Sequence, residues 1–434
     1  MTAGRLLVVS PLFSVNAPQP ARFRELVSRW AGRFEVTVLA FDTGGNAPVT
    51  PEGVKLSMMQ FSPAGRLLIG ARLKSRGREN RTRQQRESEN LKGGTGLRER
   101  PGRSVRGLLR RMHINRFFFP DVFIVEYRNI RKIVLSLAGS LQPDAVLISV
   151  SPFTLMFLAG ALRRKFPHIK IVIDAGDPFH GDSSSYSRRL AHRLFARRIE
   201  RSGLAKADMT VVPTLIMKKH YLSCYGDVVD EHKVKIIENG INELFMGIPE
   251  AGAGRSRPFR LVYAGRFYKK MRDPSELYNA VQEFASGEVI LKVFGNIQVK
   301  YLPPAGDGRF ISGGAVSAED LAREYDDADL VVYLDNAYGV QVPGKVYEVL
   351  AVNRPVLYIC RDESSPSFDI MNGKEGVITS TNDQRSIAES IVRAMKEGAG
   401  RSYRRGSEKY TFDSLASSYG ILLEELISGT DKAG

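Results

Sequence analysis

Cysteine is scarce: only Cys224 and Cys360 occur in 434 residues, too few and too far apart for a disulfide framework or paired metal-ligand spacing. That scarcity suits a reducing compartment and predicts a cytoplasmic protein. The N-terminus MTAGRLLVVSPLF lacks a small-residue cleavage site after its short apolar core, so it reads as a first buried strand and not a signal peptide. Long hydrophobic runs are scarce too. The one candidate membrane span, AVLISVSPFTLMFLAGAL at 145–162, is uncharged and about 18 residues long, close to the minimum for crossing a bilayer. Ser149, Ser151 and Pro152 in its middle predict instead a strand, a turn and the start of a helix. No low-complexity tract dominates, and 43% hydrophobic with 25% charged residues is the make-up of a folded chain. At this length two domains of roughly 200 residues each are expected.

What the chain has in excess is positive charge. The formal net charge is +16, and residues 66–116 hold sixteen Lys and Arg against four Glu, a net +12. That stretch is rich in Arg, Gly and Ser with little apolar periodicity, and predicts a mobile insertion in the first domain. Its plainest reading is a solvated loop. Its ends, AGRLLIGARLK and SVRGLLRRMHINRFFF, mix cations with Leu, Ile and Phe, which is the composition of a helix lying on an anionic membrane surface. Nucleic acid is the rival partner and the least favoured, because the aromatics cluster only at Phe117–Phe119 and no reading module accompanies them.

Elsewhere, short apolar runs alternate with amphipathic stretches. RLLVVSP, EVTVLAF, AVLISVS, IKIVIDA and DMTVVP predict strands in the first half, and FRLVYAG, VILKVFG, DLVVYL and RPVLYI in the second. ARFRELVSRWAGRF, SRRLAHRLFARRIERSGL, PSELYNAVQEF and SAEDLAREYDDA predict helices between them. The alternation makes the fold class α/β, two Rossmann-like domains facing a cleft, with ligands outside the carboxyl ends of the strands. The expected boundaries are 1–240, a Gly/Pro/Ser-rich linker at 241–258, a second domain at 259–405, and a closing helix within 406–434 that packs back across the domains.

The stretch QVPGKVYEVLAVNRPVL sets a Pro343-Gly344 turn before a helix opening at Lys345. The free N–H groups of such a helix end and Lys345 suit a phosphate, and Glu348, one turn in, suits the vicinal hydroxyls of a ribose. An ordinary Lys345–Glu348 surface pair explains the same letters. Asp327-Ala328-Asp329 reads as a helix end, and GGTG and AGAG do not sit between strand and helix as dinucleotide fingerprints must. Asp174 closes a strand and is as readily a helix cap as a site residue.

PGKVYEVLAVNRPVL resembles the nucleotide-sugar motif of GT-B glycosyltransferases of the retaining family four, especially those that make bacterial surface polysaccharides. SPFTLMFLAGALRRKFPHIKIVIDAGDPF, LAKADMTVVPT, KIIENGINELF, FRLVYAGRF and ADLVVYLDNAYGVQVPGKVYE extend the likeness in the family's order over nearly the whole chain except the basic insertion. The resemblance implies transfer of a sugar from a nucleotide-diphosphate donor to a glycan or lipid-linked acceptor, with retention. It implies no cofactor and no metal, since fixed cations can stabilise the leaving diphosphate. Glu348 matches the residue that holds the donor ribose, with Gly344 and Lys345 beside it. Arg266 follows Gly265 where the family places a cation near the diphosphate, and Lys269, Lys270 and Arg272 come next. Met271 stands where the family often has lysine, so the neighbour that substitutes is open. Val340 stands where many members carry a second glutamate for the donor sugar, leaving Asn336, Tyr338 and Gln341 as polar candidates. In the first domain, Asp177 and His180 are candidates for contacting the acceptor or the transferred sugar. A lipid-linked acceptor would put the enzyme at the inner face of the membrane. A GT-B-shaped sugar epimerase or hydrolase, or a silent nucleotide-sugar-binding scaffold, remain alternatives.

Overall fold

The apolar runs become strands of two parallel sheets. The computed structural model describes residues 3–15, 17–43, 50–70, 118–180, 190–249, 258–268, 270–303, 306–397, 402–403 and 405–429. Two units emerge, residues 1–238 with 415–434, and residues 239–414. In the first, β1 (Arg5–Val9), β2 (Glu35–Phe41), β3 (Val54–Met59), β4 (Ala145–Ser149), β5 (Lys170–Asp174), β6 (Met209–Val212) and β7 (Val234–Ile236) lie in the order β3-β2-β1-β4-β5-β6-β7. Every described pairing in it is parallel. Helices must therefore return the chain and cover both faces, which is why β2, β4 and β5 are almost uninterrupted apolar runs. One face packs on Ile130, Val134, Leu158 and Leu162 of helices Tyr127–Leu141 and Met156–Lys165. The other packs on Phe23, Val27 and Trp30 of helix Pro18–Trp30 and on Leu415, Tyr419 and Leu423 of helix Phe412–Ser428.

The second unit repeats the plan with β8 (Phe259–Ala264), β9 (Val289–Phe294), β10 (Phe310–Gly314), β11 (Leu330–Leu334), β12 (Val356–Cys360) and β13 (Val377–Thr381), in the order β10-β9-β8-β11-β12-β13. Counted from the first strand of each unit, both sheets run 3-2-1-4-5-6, and the first adds β7. In such a sheet the chain departs in opposite directions from strands one and four, and the crevice between their carboxyl ends is where ligands bind. In the second unit those strands are β8 and β11.

Several expectations need correcting. The basic insertion does not begin at residue 66, because Arg66–Gly70 forms a helical turn whose Ile69 is buried in the first unit's core. Residues 71–117, and with them the expectations about the insertion, lie outside the described residues. The segment 241–258 is not wholly a linker, since Ile241, Phe245 and Ile248 are buried in the second unit's core. The tail divides: Tyr410 packs on Tyr347 in the second unit with ring centroids 4.6 Å apart, whereas helix Phe412–Ser428 places Leu415, Ala416, Tyr419 and Leu423 in the first unit. The apolar stretch at 145–162 resolves as expected into β4, a turn and helix Met156–Lys165. No described helix is long and apolar enough to cross a membrane.

Candidate functional site

The chain leaves β8 through Gly265, and glycine is required here. A Cβ on Gly265 would lie 2.6 Å from the Tyr263 hydroxyl, and one on Gly295, at φ +128°, would lie 2.2 Å from the Gly265 carbonyl oxygen. Arg266 follows, exposed to solvent. The next residues close on themselves, with Tyr268 N–H donating to Arg272 O at 2.9 Å and Arg272 N–H to Tyr268 O at 2.8 Å. Lys270 sits at the tip in the left-handed region, φ 68°, and is also exposed. A non-glycine residue there costs conformational energy, so the tight turn around it must supply compensating bonds. Lys269 lies outside the described residues.

The loop after β11 meets this turn. Asn336, 2% exposed, accepts from Arg272 through Oδ1, 2.7 Å from Nη2 and 3.2 Å from Nε, and donates from Nδ2 to the Gln341 carbonyl at 2.8 Å. The Arg272 guanidinium also reaches the Arg266 carbonyl at 3.3 Å, and Ala337 N–H donates to Met271 O at 2.8 Å. Arg266, Arg272, Asn336 and Gln341 are thus joined by hydrogen bonds at the switch point of the sheet. Asp335 lies beneath, its carboxylate accepting from Asn336 N–H, Ser367 N–H, the Ser367 hydroxyl and the Tyr358 hydroxyl at 2.8 to 2.9 Å. Burial raises its pKa even though those hydrogen bonds pull the other way.

Beyond the exposed Tyr338, Gly344 leads into the seven-residue helix Lys345–Ala351, where Lys345 Nζ and Glu348 Oε2 are paired at 2.8 Å. The simple surface pair expected from the sequence is therefore present, with Glu348 one-quarter exposed. Among the described residues no hydrogen bond links this pair to the Arg272–Asn336 group. A cavity of about 300 Å³ opens at the carboxyl ends of β11, β12 and β13, lined by Asp335, Ala337, Arg361, Asn382 and Asp383 among others. Asn382 Oδ1 is buried with no hydrogen-bond partner among the described residues. Chemically, cations on a rigid turn, a carboxylate and an adjoining cavity can hold an anion, vicinal hydroxyls and a flat polar ring.

In the first unit, Asp174 is not a helix cap. Its carboxylate forms a buried ion pair with Arg22 at 2.9 Å and accepts from Gln19 at 2.9 Å and Tyr419 at 3.2 Å. Asp177 is half-buried in the loop that follows. His180, further along, has its N–H bound to Glu200 Oε2 at 2.9 Å and its carbonyl 2.8 Å from His220 Nε2. Burial, then the nearby His220, Arg193 and Arg197, hold its imidazole below the usual range, so it is neutral near pH 7. Cys224 Sγ lies 3.9 Å from His180 Nδ1 and 3.8 Å from His220 Nδ1. The sequence reading singled out His180 alone of these three; the i,i+4 spacing of His220 and Cys224 on helix Leu215–Tyr225 was the available signal. It also missed Asp335 and Asn382. The Asp327-Ala328-Asp329 triplet is structural: Asp327 caps a helix, and Asp329 accepts the Arg260 N–H at 2.8 Å.

Residues 92–243 match the sequence profile of Glycosyltransferase Family 4. No curated protein matches the chain in sequence. Solved structures share the fold at low identity. A sucrose-phosphate synthase from Thermosynechococcus elongatus is 14% identical with a TM-score of 0.66, covering 98% of this chain and 100% of that one. A lipopolysaccharide outer core galactosyltransferase is 13% identical with a TM-score of 0.57, covering 97% and 99%. A Listeria monocytogenes structure named as a putative UDP-N-acetylglucosamine 2-epimerase is 12% identical with a TM-score of 0.54, covering 99% and 98%. At such identities the likeness establishes the GT-B fold and nothing about substrates.

Proposed function

We propose that the chain moves a sugar from a nucleotide-diphosphate donor to a lipid-linked or polysaccharide acceptor, because residues 92–243 match the Glycosyltransferase Family 4 profile and the two parallel-sheet units match GT-B structures. The observation that carries this reading is the group at the switch point of the second sheet. Arg266 and Lys270 are exposed on a turn whose backbone Arg272 and Asn336 lock in place, so the points from which both cations extend are set before any ligand arrives. Bond cleavage leaves a diphosphate, and in this reading Arg266 and Lys270, together with Lys269, a candidate from the sequence alone, neutralise it; we therefore propose that no metal is needed at the diphosphate. In this reading Glu348, with Gly344 and Lys345, takes the ribose, Tyr338 and Gln341 contact the donor sugar, and the buried Asn336 positions Arg272 and the Gln341 backbone. The cavity beside Asp335, where Asn382 Oδ1 has no hydrogen-bond partner among the described residues, suits the base. Asp177 is the proposed contact on the acceptor side. Retention rests on the resemblance to family four alone.

A peripheral membrane location fits the same reading, because helix Leu190–Leu204 exposes Leu194 and Phe195 beside Arg193, Arg197 and Arg198. A sugar epimerase is the second reading, favoured by the structural likeness to the Listeria protein. Nucleoside diphosphates and their sugars, screened by thermal shift and then by product analysis, separate the cases. An acceptor-linked product is expected; a free epimer would favour the second reading, and no thermal shift with any nucleotide would favour a scaffold. Arg266→Ala should lower kcat by more than it weakens donor affinity, because charge grows on the leaving diphosphate only in the transition state. Equal kcat in Arg266→Ala, Lys270→Ala and Arg272→Ala would place the diphosphate elsewhere.

A further inference from the structure

We propose that His180, His220 and Cys224 form a binding site for one zinc ion in the first unit. One ligand atom from each of the three residues lies within 4.8 Å of the others, and all three residues are partly exposed, so an ion can reach them. In a tetrahedral site with Zn–S of about 2.3 Å and Zn–N of about 2.0–2.1 Å, sulfur and nitrogen lie roughly 3.5 Å apart. The two sulfur–nitrogen separations, 3.8 and 3.9 Å, need to close by only a few tenths of an ångström.

The surroundings are built as those of a metal ligand are. Cys224 Sγ lies 3.8 Å from His220 Nδ1 and 3.9 Å from Nε2, but Nε2 is 2.8 Å from the His180 carbonyl, a bond that puts the proton on Nε2 and leaves the Nδ1 lone pair free for a metal. The His180 backbone is tied by its N–H to Glu200, which accepts from Phe179 N–H and from the Tyr221 and Tyr225 hydroxyls as well. The loop ligand is therefore held against the helix that carries the other two before any ion binds. Two imidazoles and a thiolate favour zinc over calcium and magnesium, which take oxygen. Three protein ligands leave a fourth position for water, and the ion would pin the loop after β5 to helix Leu215–Tyr225. Binding exchanges the Cys224 S–H bond for S–Zn, and the proton leaves to solvent.

The test uses the full chain without a histidine tag, stripped with a chelator and titrated with Zn²⁺. One ion per chain is expected, with release of one proton, a rise in melting temperature, and no response to Mg²⁺ or Ca²⁺. Cobalt(II) in place of zinc should give a thiolate-to-metal absorption band in the wild-type chain, a readout that needs no variant to fold. Cys224→Ser and His220→Ala should each bind zinc at least a hundredfold more weakly. Absence of stoichiometric binding, a missing cobalt band, or undiminished affinity in both variants would overturn the proposal.

Discussion

The 2.8 Å pair between Lys345 and Glu348 serves either a surface or a ligand, and affinity separates the two. A solvated i,i+3 pair contributes only a few tenths of a kcal/mol, so Glu348→Ala should barely move the melting temperature. A carboxylate bonded to ribose hydroxyls contributes about 1.5 to 3 kcal/mol, so the same change should weaken nucleoside diphosphate and intact donor alike by roughly ten- to a hundredfold. Calorimetry that found wild-type affinity for the nucleoside diphosphate would return Glu348 to the surface pair. Asp335 makes a prediction of another kind. Its pKa is raised in the folded chain by burial, so the folded state holds the proton more tightly than the unfolded state does. Its contribution to stability is full below the unfolded value of about 4 and is lost as pH rises through the raised value. The melting-temperature advantage of wild type over Asp335→Asn should therefore shrink as pH climbs from 4 toward neutrality. An advantage that stayed level or grew over that range would show that burial does not dominate at this carboxylate.

Helix Phe412–Ser428 shows how an element late in the sequence completes a core begun near its start. Trp30 Nε1 donates to the Ala416 carbonyl at 3.1 Å, Trp30 and Tyr419 meet edge to face at 5.1 Å, and Leu423 is fully buried. Leu423→Ala should cost about 2–5 kcal/mol of first-unit stability, against near zero for the exposed Ile421→Ala in the same helix. Melting that moved equally in the two variants would deny the helix this structural role. Elements were legible in the sequence according to their place in the sheet. The nine strands read there occupy all the interior positions, where both flanks and both faces are covered and polar residues are costly. The four that escaped, β3, β7, β10 and β13, are the edges of the two sheets. Their sequences, such as VKLSMM, FISGG and VITST, mix buried and exposed residues and break the apolar run. The site divides likewise. Arg266 and Glu348 stand out as charged residues at motif positions. The bond from Arg272 to Asn336 spans 64 positions, and the meeting of His180 with Cys224 spans 44, so neither leaves a periodic trace.

At the scale of the whole chain, the charge is unevenly placed. Residues 71–116 carry fifteen Lys and Arg and four Glu, so deleting them lowers the formal net charge from +16 to +5. Ile69 and Phe118, which pack on the first unit's core from either side, are spared by this deletion, which should therefore leave the fold and nucleotide affinity unchanged. Each Lys or Arg near an anionic leaflet contributes about 1 kcal/mol, so engaging even five of the fifteen would change membrane affinity by roughly three to four orders of magnitude. The full chain should then sediment with phosphatidylserine-containing vesicles at low salt and lose most of that binding as ionic strength rises and the Debye length shortens. The deleted chain should stay in the supernatant, retaining at most a weak, salt-insensitive attachment through Leu194 and Phe195. Converting those two exposed residues to serine in the deleted chain should remove the remainder. Vesicle binding that is equal before and after deletion would assign the basic stretch to solvent. Loss of single-stranded RNA binding on deletion, with vesicle binding intact, would assign it to nucleic acid.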